Sequence, residues 1–278
     1  MRPSARLRHV PGYRIARLYP VHVAVLALLV VMVGVARAGE IPLNNPESWR
    51  LVDLAWNLLL VHAWGFAANA TWNVPSWSIS AEWLAYLTFP VWAALASRCG
   101  ERGAGLLAIA ALIGLGLVFD MFDWRLKTAW VGGPAVTRVL CEFVAGCLIY
   151  RAWLGRRSGV WGDALVVVGV IGWLAPPLGS YDAARVAALA LVLVGAASAQ
   201  GPIGRLLAAR PTVALGEASY VVYMIHFPIM LVVARLHGAV GLRSLPWAVQ
   251  VSLYIAAILA TWGFALAVSD GFERPARR

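Results

Sequence analysis

Eight long apolar stretches run through this chain, at about 18–36, 79–97, 104–119, 134–150, 163–178, 186–200, 216–236 and 247–268, and arginines gather in every second gap between them. A hydrocarbon core of roughly 30 Å takes about 20 apolar residues per crossing helix. Lipid offers no hydrogen bonds, so each crossing must satisfy its own backbone, and stretches of this length do so as helices. The pattern predicts an all-α polytopic transmembrane bundle of about eight spans. Of 278 residues, 61% are hydrophobic and 13% are charged, and the mean hydropathy is +0.75. That leaves too little polar surface to cover the core of a soluble protein.

The stretch 51–68 is apolar but carries Asp53, Asn57 and His62. Polar groups in hydrocarbon are costly unless they face protein or a water-filled cavity. The bias of Lys and Arg toward cytoplasmic loops decides whether it crosses. If it does not, the cytoplasmic side holds Arg2, Arg6, Arg8, Arg14, Arg17, Arg98, Arg102, Arg151, Arg156, Arg157, Arg205, Arg210, Arg274, Arg277 and Arg278, which are 15 of the 23 Lys and Arg. If it does, every later loop changes side and the count becomes 11 inside against 12 outside. Only the first arrangement keeps the bias. It predicts a re-entrant or interfacial segment at 51–68 beside an outward-facing polar cavity, with both termini cytoplasmic. The net charge of +10 then reads as cytoplasmic anchoring, and nucleic acid is not an expected partner. The lipid bilayer is, and nothing in the pattern sets an oligomeric state.

Arg14 and Arg17 precede the first apolar run, and Ala36-Arg37-Ala38 resembles a signal cleavage site. The run is longer than a usual signal core, which favours a retained first helix. Most of the 14 tryptophans fit an interfacial aromatic belt, Trp49, Trp64, Trp72, Trp124, Trp130 and Trp247 among them. Cys99, Cys141 and Cys147 form no CxxC pair and read as small core residues. No metal site is expected.

Four constellations could carry chemistry. Arg14 and Arg17, three apart, share one helix face at the cytoplasmic mouth of the first span. They suit phosphate, though plain membrane anchoring explains them too. In Pro75-Ser76-Trp77-Ser78-Ile79-Ser80-Ala81-Glu82, continuing to Tyr86, Ser78 and Glu82 are four apart and Tyr86 extends their line. An intramembrane carboxylate is a functional candidate, but Glu82 also suits a helix N-terminus capped by a serine. Ser219, Tyr223 and His226 fall on one face before Pro228; His226 could move a proton or simply bond a neighbouring backbone. His22 and His62 are weaker candidates. The tail Gly271–Arg278 reads as a basic stop-transfer end. No P-loop, dinucleotide fingerprint, H-E-x-x-H or G-x-S-x-G occurs, which argues against an ATP-driven pump and a zinc protease.

Taken together and in order, these segments resemble the membrane acyltransferase-3 family of bacterial O-acyltransferases. The resemblance rests on Arg14-Ile15-Ala16-Arg17-Leu18-Tyr19-Pro20, the Pro75–Glu82 block with Tyr86 and Pro90, Cys141-Glu142-Phe143-Val144-Ala145-Gly146 leading to Tyr150, Leu215–Tyr220 leading to His226-Phe227-Pro228, and Phe272-Glu273-Arg274-Pro275. It implies an enzyme of the inner membrane that moves an acyl group, expected to be acetyl, from an acyl-CoA donor to a carbohydrate hydroxyl. The acyl-CoA is a co-substrate, and no further cofactor is implied. Arg14 and Arg17 would hold its phosphates. Glu82 would act with support from His226, and Ser76, Trp77, Ser78, Tyr86, Ser219 and Tyr223 would shape the acceptor cavity. The family pattern begins with two more spanning helices, the first bearing an arginine and a histidine eleven positions apart, and no residue here matches that histidine. The chain is therefore expected to be one acyltransferase-3-like membrane domain over 1–278, truncated at its N-terminus. Two alternatives stand beside this reading: a proton-coupled transporter or flippase for a glycan or lipid, and an inactive fragment of an acyltransferase.

Overall fold

The computed structural model describes residues 10–125, 128–154, 161–175, 183–239 and 246–268. Ten α-helices follow one another there: α1 Val10–Ala38, α2 Leu51–Leu58, α3 Trp77–Ser97, α4 Glu101–Met121, α5 Gly132–Trp153, α6 Gly162–Leu174, α7 Ala183–Ser198, α8 Pro202–Leu207, α9 Arg210–Ala239 and α10 Trp247–Val268. No strand interrupts them among the described residues. Each of the eight apolar stretches becomes one helix of a polytopic all-α bundle. Six are long and apolar enough to cross a membrane. The other two, α6 and α7, have 13 and 16 residues. At 1.5 Å per residue they extend only about 20 and 24 Å, short of a roughly 30 Å core; α6 is shorter than the span expected over 163–178, whereas α7 keeps the expected length but sits a few residues earlier than 186–200.

Pro20, Pro90 and Pro228 lie inside α1, α3 and α9, where neighbouring helices can satisfy the carbonyls a proline frees. Large apolar side chains such as Leu106, Leu117, Leu193 and Leu259 point outward, each at least 65% exposed. Such a surface has no place in water and matches hydrocarbon. The main core joins Val25, Leu26 and Leu29 of α1 to Val221 and Met224 of α9, Ala265 of α10, and the indoles of Trp49 and Trp72. Small residues dominate elsewhere. A Cβ at Gly169 of α6 would stand 2.6 Å from the Ala188 carbonyl oxygen of α7, so that helix pair closes backbone to backbone.

The segment after α1 folds back on itself. The Arg37 guanidinium, near the end of α1, donates to the Trp49 carbonyl at 3.3 Å. Trp72 closes the returning end, with its backbone N–H on Ser48 O at 3.0 Å and its indole N–H on Arg50 O at 2.9 Å. Between these points the chain reaches the level of Tyr19 and His22, whose side chains bond Leu58 O and Asn57 O. That level lies about 15 to 18 residues before Arg37 on α1, roughly 22–27 Å along its axis. Leu60 at φ 56 and Gly65 at φ 105 break the helix. An α2 of eight residues covers about 12 Å, far short of a crossing. The backbone of 51–68 thus enters and leaves on the Ala38 side of α1.

Candidate active site

The re-entrant segment, the first turns of α3 and the middle of α9 meet around a dense set of buried polar groups. His22, Asn57, Asn73, Ser76 and Ser80 are fully enclosed, and His62 nearly so. Asn57 Nδ2 donates to Asp53 O at 2.8 Å and to Thr71 Oγ1 at 3.0 Å. Ser76 Oγ sits 2.6 Å from Asn73 O, 3.1 Å from His62 Nε2 and 3.3 Å from Asn57 Oδ1. The shortest contact takes its one proton, so Ser76 donates to Asn73 O and His62 Nε2–H donates to Ser76. Ser80 Oγ donates to Leu60 O at 2.9 Å and accepts from Ala63 N–H at 3.0 Å. Trp64 Nε1 donates to Ser80 O at 2.7 Å. These bonds pin the broken segment to the start of α3. Burial, and then the neighbouring His22, push the His62 imidazole down to about 3, so it is a neutral structural donor at working pH. Three buried atoms of the network have no hydrogen-bond partner among the described residues, His22 Nδ1, His62 Nδ1 and Asn73 Oδ1.

One face of this region is more open. Ser78 Oγ and Tyr223 OH lie 2.8 Å apart, joining α3 to α9 across 145 positions of sequence. Tyr223 OH donates to Pro75 O at 2.7 Å, which leaves its oxygen to accept from Ser78. One turn on, Glu82 Oε1 accepts from Tyr86 OH. On the line of Ser78, Glu82 and Tyr86, the last two are bonded to each other, while Ser78 reaches across to α9. His226 Nδ1 lies 2.6 Å from the Tyr223 carbonyl. That contact makes Nδ1 the donor and Nε2 the acceptor. Glu82 and Arg138 of α5 both act electrostatically on the Tyr223 phenol. The Arg138 guanidinium stands 5.3 Å over the Trp77 ring and donates Nε–H to Glu142 at 3.2 Å. Phe143 packs edge-on against Tyr86.

The expected acceptor residues are thus sorted. Trp77, Ser78, Glu82, Tyr86 and Tyr223 lie along the α3–α9 contact and its α5 wall, and His226 follows Tyr223 one turn on along α9, against its ring and carbonyl. Ser76 turns inward to the buried network. Ser219 joins neither: it is exposed and bonds Gly216 O of its own helix at 2.7 Å. Arg17 is half-buried on α1, and its Nε is enclosed without a partner among the described residues. Arg14 lies one turn earlier on α1, with its side chain outside the described residues, as is the Phe272–Pro275 segment. His22 and His62, ranked low from sequence, are the most enclosed histidines described. Arg138 was missed altogether, although an arginine one turn inside an apolar stretch is the signal that flags Glu82. Among the described residues, no cluster of three or more His, Cys, Asp or Glu is placed to hold a metal ion.

A multi-pass helical bundle, broken by a re-entrant segment and carrying a carboxylate, a phenol and an imidazole near one helix contact, has the architecture of a membrane protein with a polar site inside it. The profile of the family described as an acyltransferase domain matches residues 12–266, and the chain belongs to that family, acyltransferase-3. It is an enzyme that transfers acyl groups other than amino-acyl groups, which sets the transporter alternative aside. The chain is 31% identical over 280 residues to acyltransferase MdmB of Streptomyces mycarofaciens, covering 93% of this chain and 70% of that protein. No solved structure matches it significantly.

Proposed function

We propose that this protein carries an acyl group, in the first instance acetyl, from an acyl-CoA donor on the cytoplasmic side to a carbohydrate hydroxyl of a surface glycan or glycolipid, within the bacterial inner membrane. The observation that supports this best is the Ser78–Tyr223 hydrogen bond of 2.8 Å, which brings the Glu82 line of α3 against the His226 line of α9. A sugar hydroxyl entering there meets a carboxylate held by Tyr86, and an imidazole whose Nε2 is the accepting nitrogen. Proton removal from the hydroxyl, attack on the thioester carbonyl and departure of the thiol need one group to take the proton and another to hold the geometry. Glu82 takes the first role and His226 supports it. Ser78, Tyr223 and Trp77 orient the acceptor. Arg14 and Arg17 grip the donor phosphates, and the enclosed Nε of Arg17 suits a site whose acceptor comes from a ligand, since an orphan buried donor is costly. The arginine bias puts both termini of this chain in the cytoplasm.

The test is acyl transfer from radiolabelled acetyl-CoA to surface glycan in membranes carrying the full chain. Glu82→Gln keeps size and hydrogen bonding but removes the base, and kcat should fall by about 10²- to 10⁴-fold. Arg17→Ala should raise KM for the donor by about tenfold, the worth of a charge-assisted hydrogen bond of roughly 1.5 kcal/mol. Unchanged kcat in Glu82→Gln removes Glu82 from the chemistry; unchanged donor KM in Arg17→Ala removes the donor site.

A further inference from the structure

Beside the candidate site lies a cavity of about 500 Å³ between α4, α5 and α7. Its walls are mainly apolar, with Leu112, Ile149, Leu189 and Leu193 among them; the uncharged rings of Tyr150 and Trp153 lie at one end, and charge stands at the other, on Arg138 and Glu142. The two face the cavity as a partly buried ion pair, with side chains 22% and 28% exposed. Taking both charges out of water is expensive unless something else uses them. The same guanidinium lies over Trp77, so the polar end of the cavity adjoins the candidate site. Along α5 the lining runs from Arg138 to Trp153, about 22 Å at 1.5 Å per residue. One leaflet of a bilayer is about 15 Å deep.

A long apolar channel with hydrogen-bonding charge at one end complements an amphiphile. The geometry points to a lipid-linked acceptor: the hydrocarbon chain lies in the α4–α5–α7 groove, and the sugar it carries is held at Arg138 and Glu142, beside Trp77 and within reach of Glu82. Arg138 offers five N–H donors, and among the described contacts Glu142 takes only Nε–H. This deepens the proposed function and rests on its carbohydrate acceptor.

Gly146 lines the groove, and a Cβ added there meets nothing within 4 Å. Gly146→Phe therefore starts from open space and projects its ring into the groove, and Ala190→Phe obstructs the groove from the α7 wall. Acyl transfer is measured in membranes with hexadecyl and methyl glucoside as acceptors. The groove predicts that the unaltered protein prefers the hexadecyl glucoside. Gly146→Phe should raise KM for that acceptor at least tenfold and leave KM for the methyl glucoside unchanged; Ala190→Phe repeats the result should the first variant fail to fold. Equal effects on both acceptors, or none, overturn the inference. So does a variant that instead changes preference among acyl-CoA chain lengths, which assigns the groove to the donor. Failure of the unaltered protein to acylate either glucoside while it still hydrolyses acetyl-CoA overturns the carbohydrate reading, and this inference with it.

Discussion

Asn57→Ala tests whether the re-entrant segment is held by its polar network. The Asn57 side chain is fully enclosed. It donates to Asp53 O and Thr71 Oγ1 and lies beside Ser76 Oγ. Asp53 O keeps its helical partner, so its loss is small. The Thr71 hydroxyl is left without this donor in a buried site, at about 1–3 kcal/mol for such a group, and the missing side chain leaves a cavity that adds to the cost. A net loss of about 3 kcal/mol follows. At roughly 2–4 °C per kcal/mol for a chain of this size, the melting temperature should drop by about 6–12 °C. The assay is thermal unfolding of the detergent-solubilised protein, with limited proteolysis reporting opening of 51–68. A cycle with Thr71→Val sharpens it. If Asn57 and Thr71 act through their mutual bond, the double variant costs less than the two single losses added together. A melting temperature within about 2 °C of the unaltered protein, or strict additivity in the cycle, would refute the reasoning.

Further outcomes follow from other parts of the molecule. Gly169→Ala should destabilise by about 1–3 kcal/mol, because its Cβ meets α7 backbone at 2.6 Å and overpacked helices must part. Gly114→Ala, open at the same test, should be neutral or stabilise by up to about 1 kcal/mol through helix propensity; equal melting shifts would contradict both. Ser219→Ala should leave acyl transfer unchanged, since its hydroxyl serves its own helix, and a loss of activity beyond about twofold counts against the site boundaries. His62 is held neutral, with its folded pKa lowered to about 3. The unfolded chain therefore binds more protons below about pH 6.5. Stability is complete above that value and falls as the pH drops toward 3, by about 2 kcal/mol at pH 5. Melting at pH 5 and 7.5 in the unaltered protein and in His62→Gln reads the effect, and an equal drop in the two would show that His62 does not cause it.

The eight helices were legible because burial in lipid demands long unbroken apolar runs, and such runs are a property of the chain itself. The pairing of Ser78, Glu82 and Tyr86 was legible for a similar reason: residues four apart on a helix share a face whatever surrounds them. The span expected over 163–178 ran past α6, which ends at Leu174, because a hydropathy run marks which residues suit lipid and not where a helix stops. Ser219 was misplaced because spacing gives a face and not the direction it looks. His22 and His62 were undervalued for a different reason. One sits among valines in α1 and the other in a broken segment, and nothing local joins them.

Composition and periodicity settled by themselves that this chain lies in a membrane as helices, and the order of its motifs pointed to its family. Tertiary structure alone decided that Ser78 finds Tyr223 across 145 residues, that Arg138 comes to lie over Trp77, and that Asn57, His62 and Ser76 close into one enclosed network. Helix periodicity is a local constraint that every residue obeys independently. Which helix faces which is set by the packing of all of them at once, and that information is spread over the whole chain.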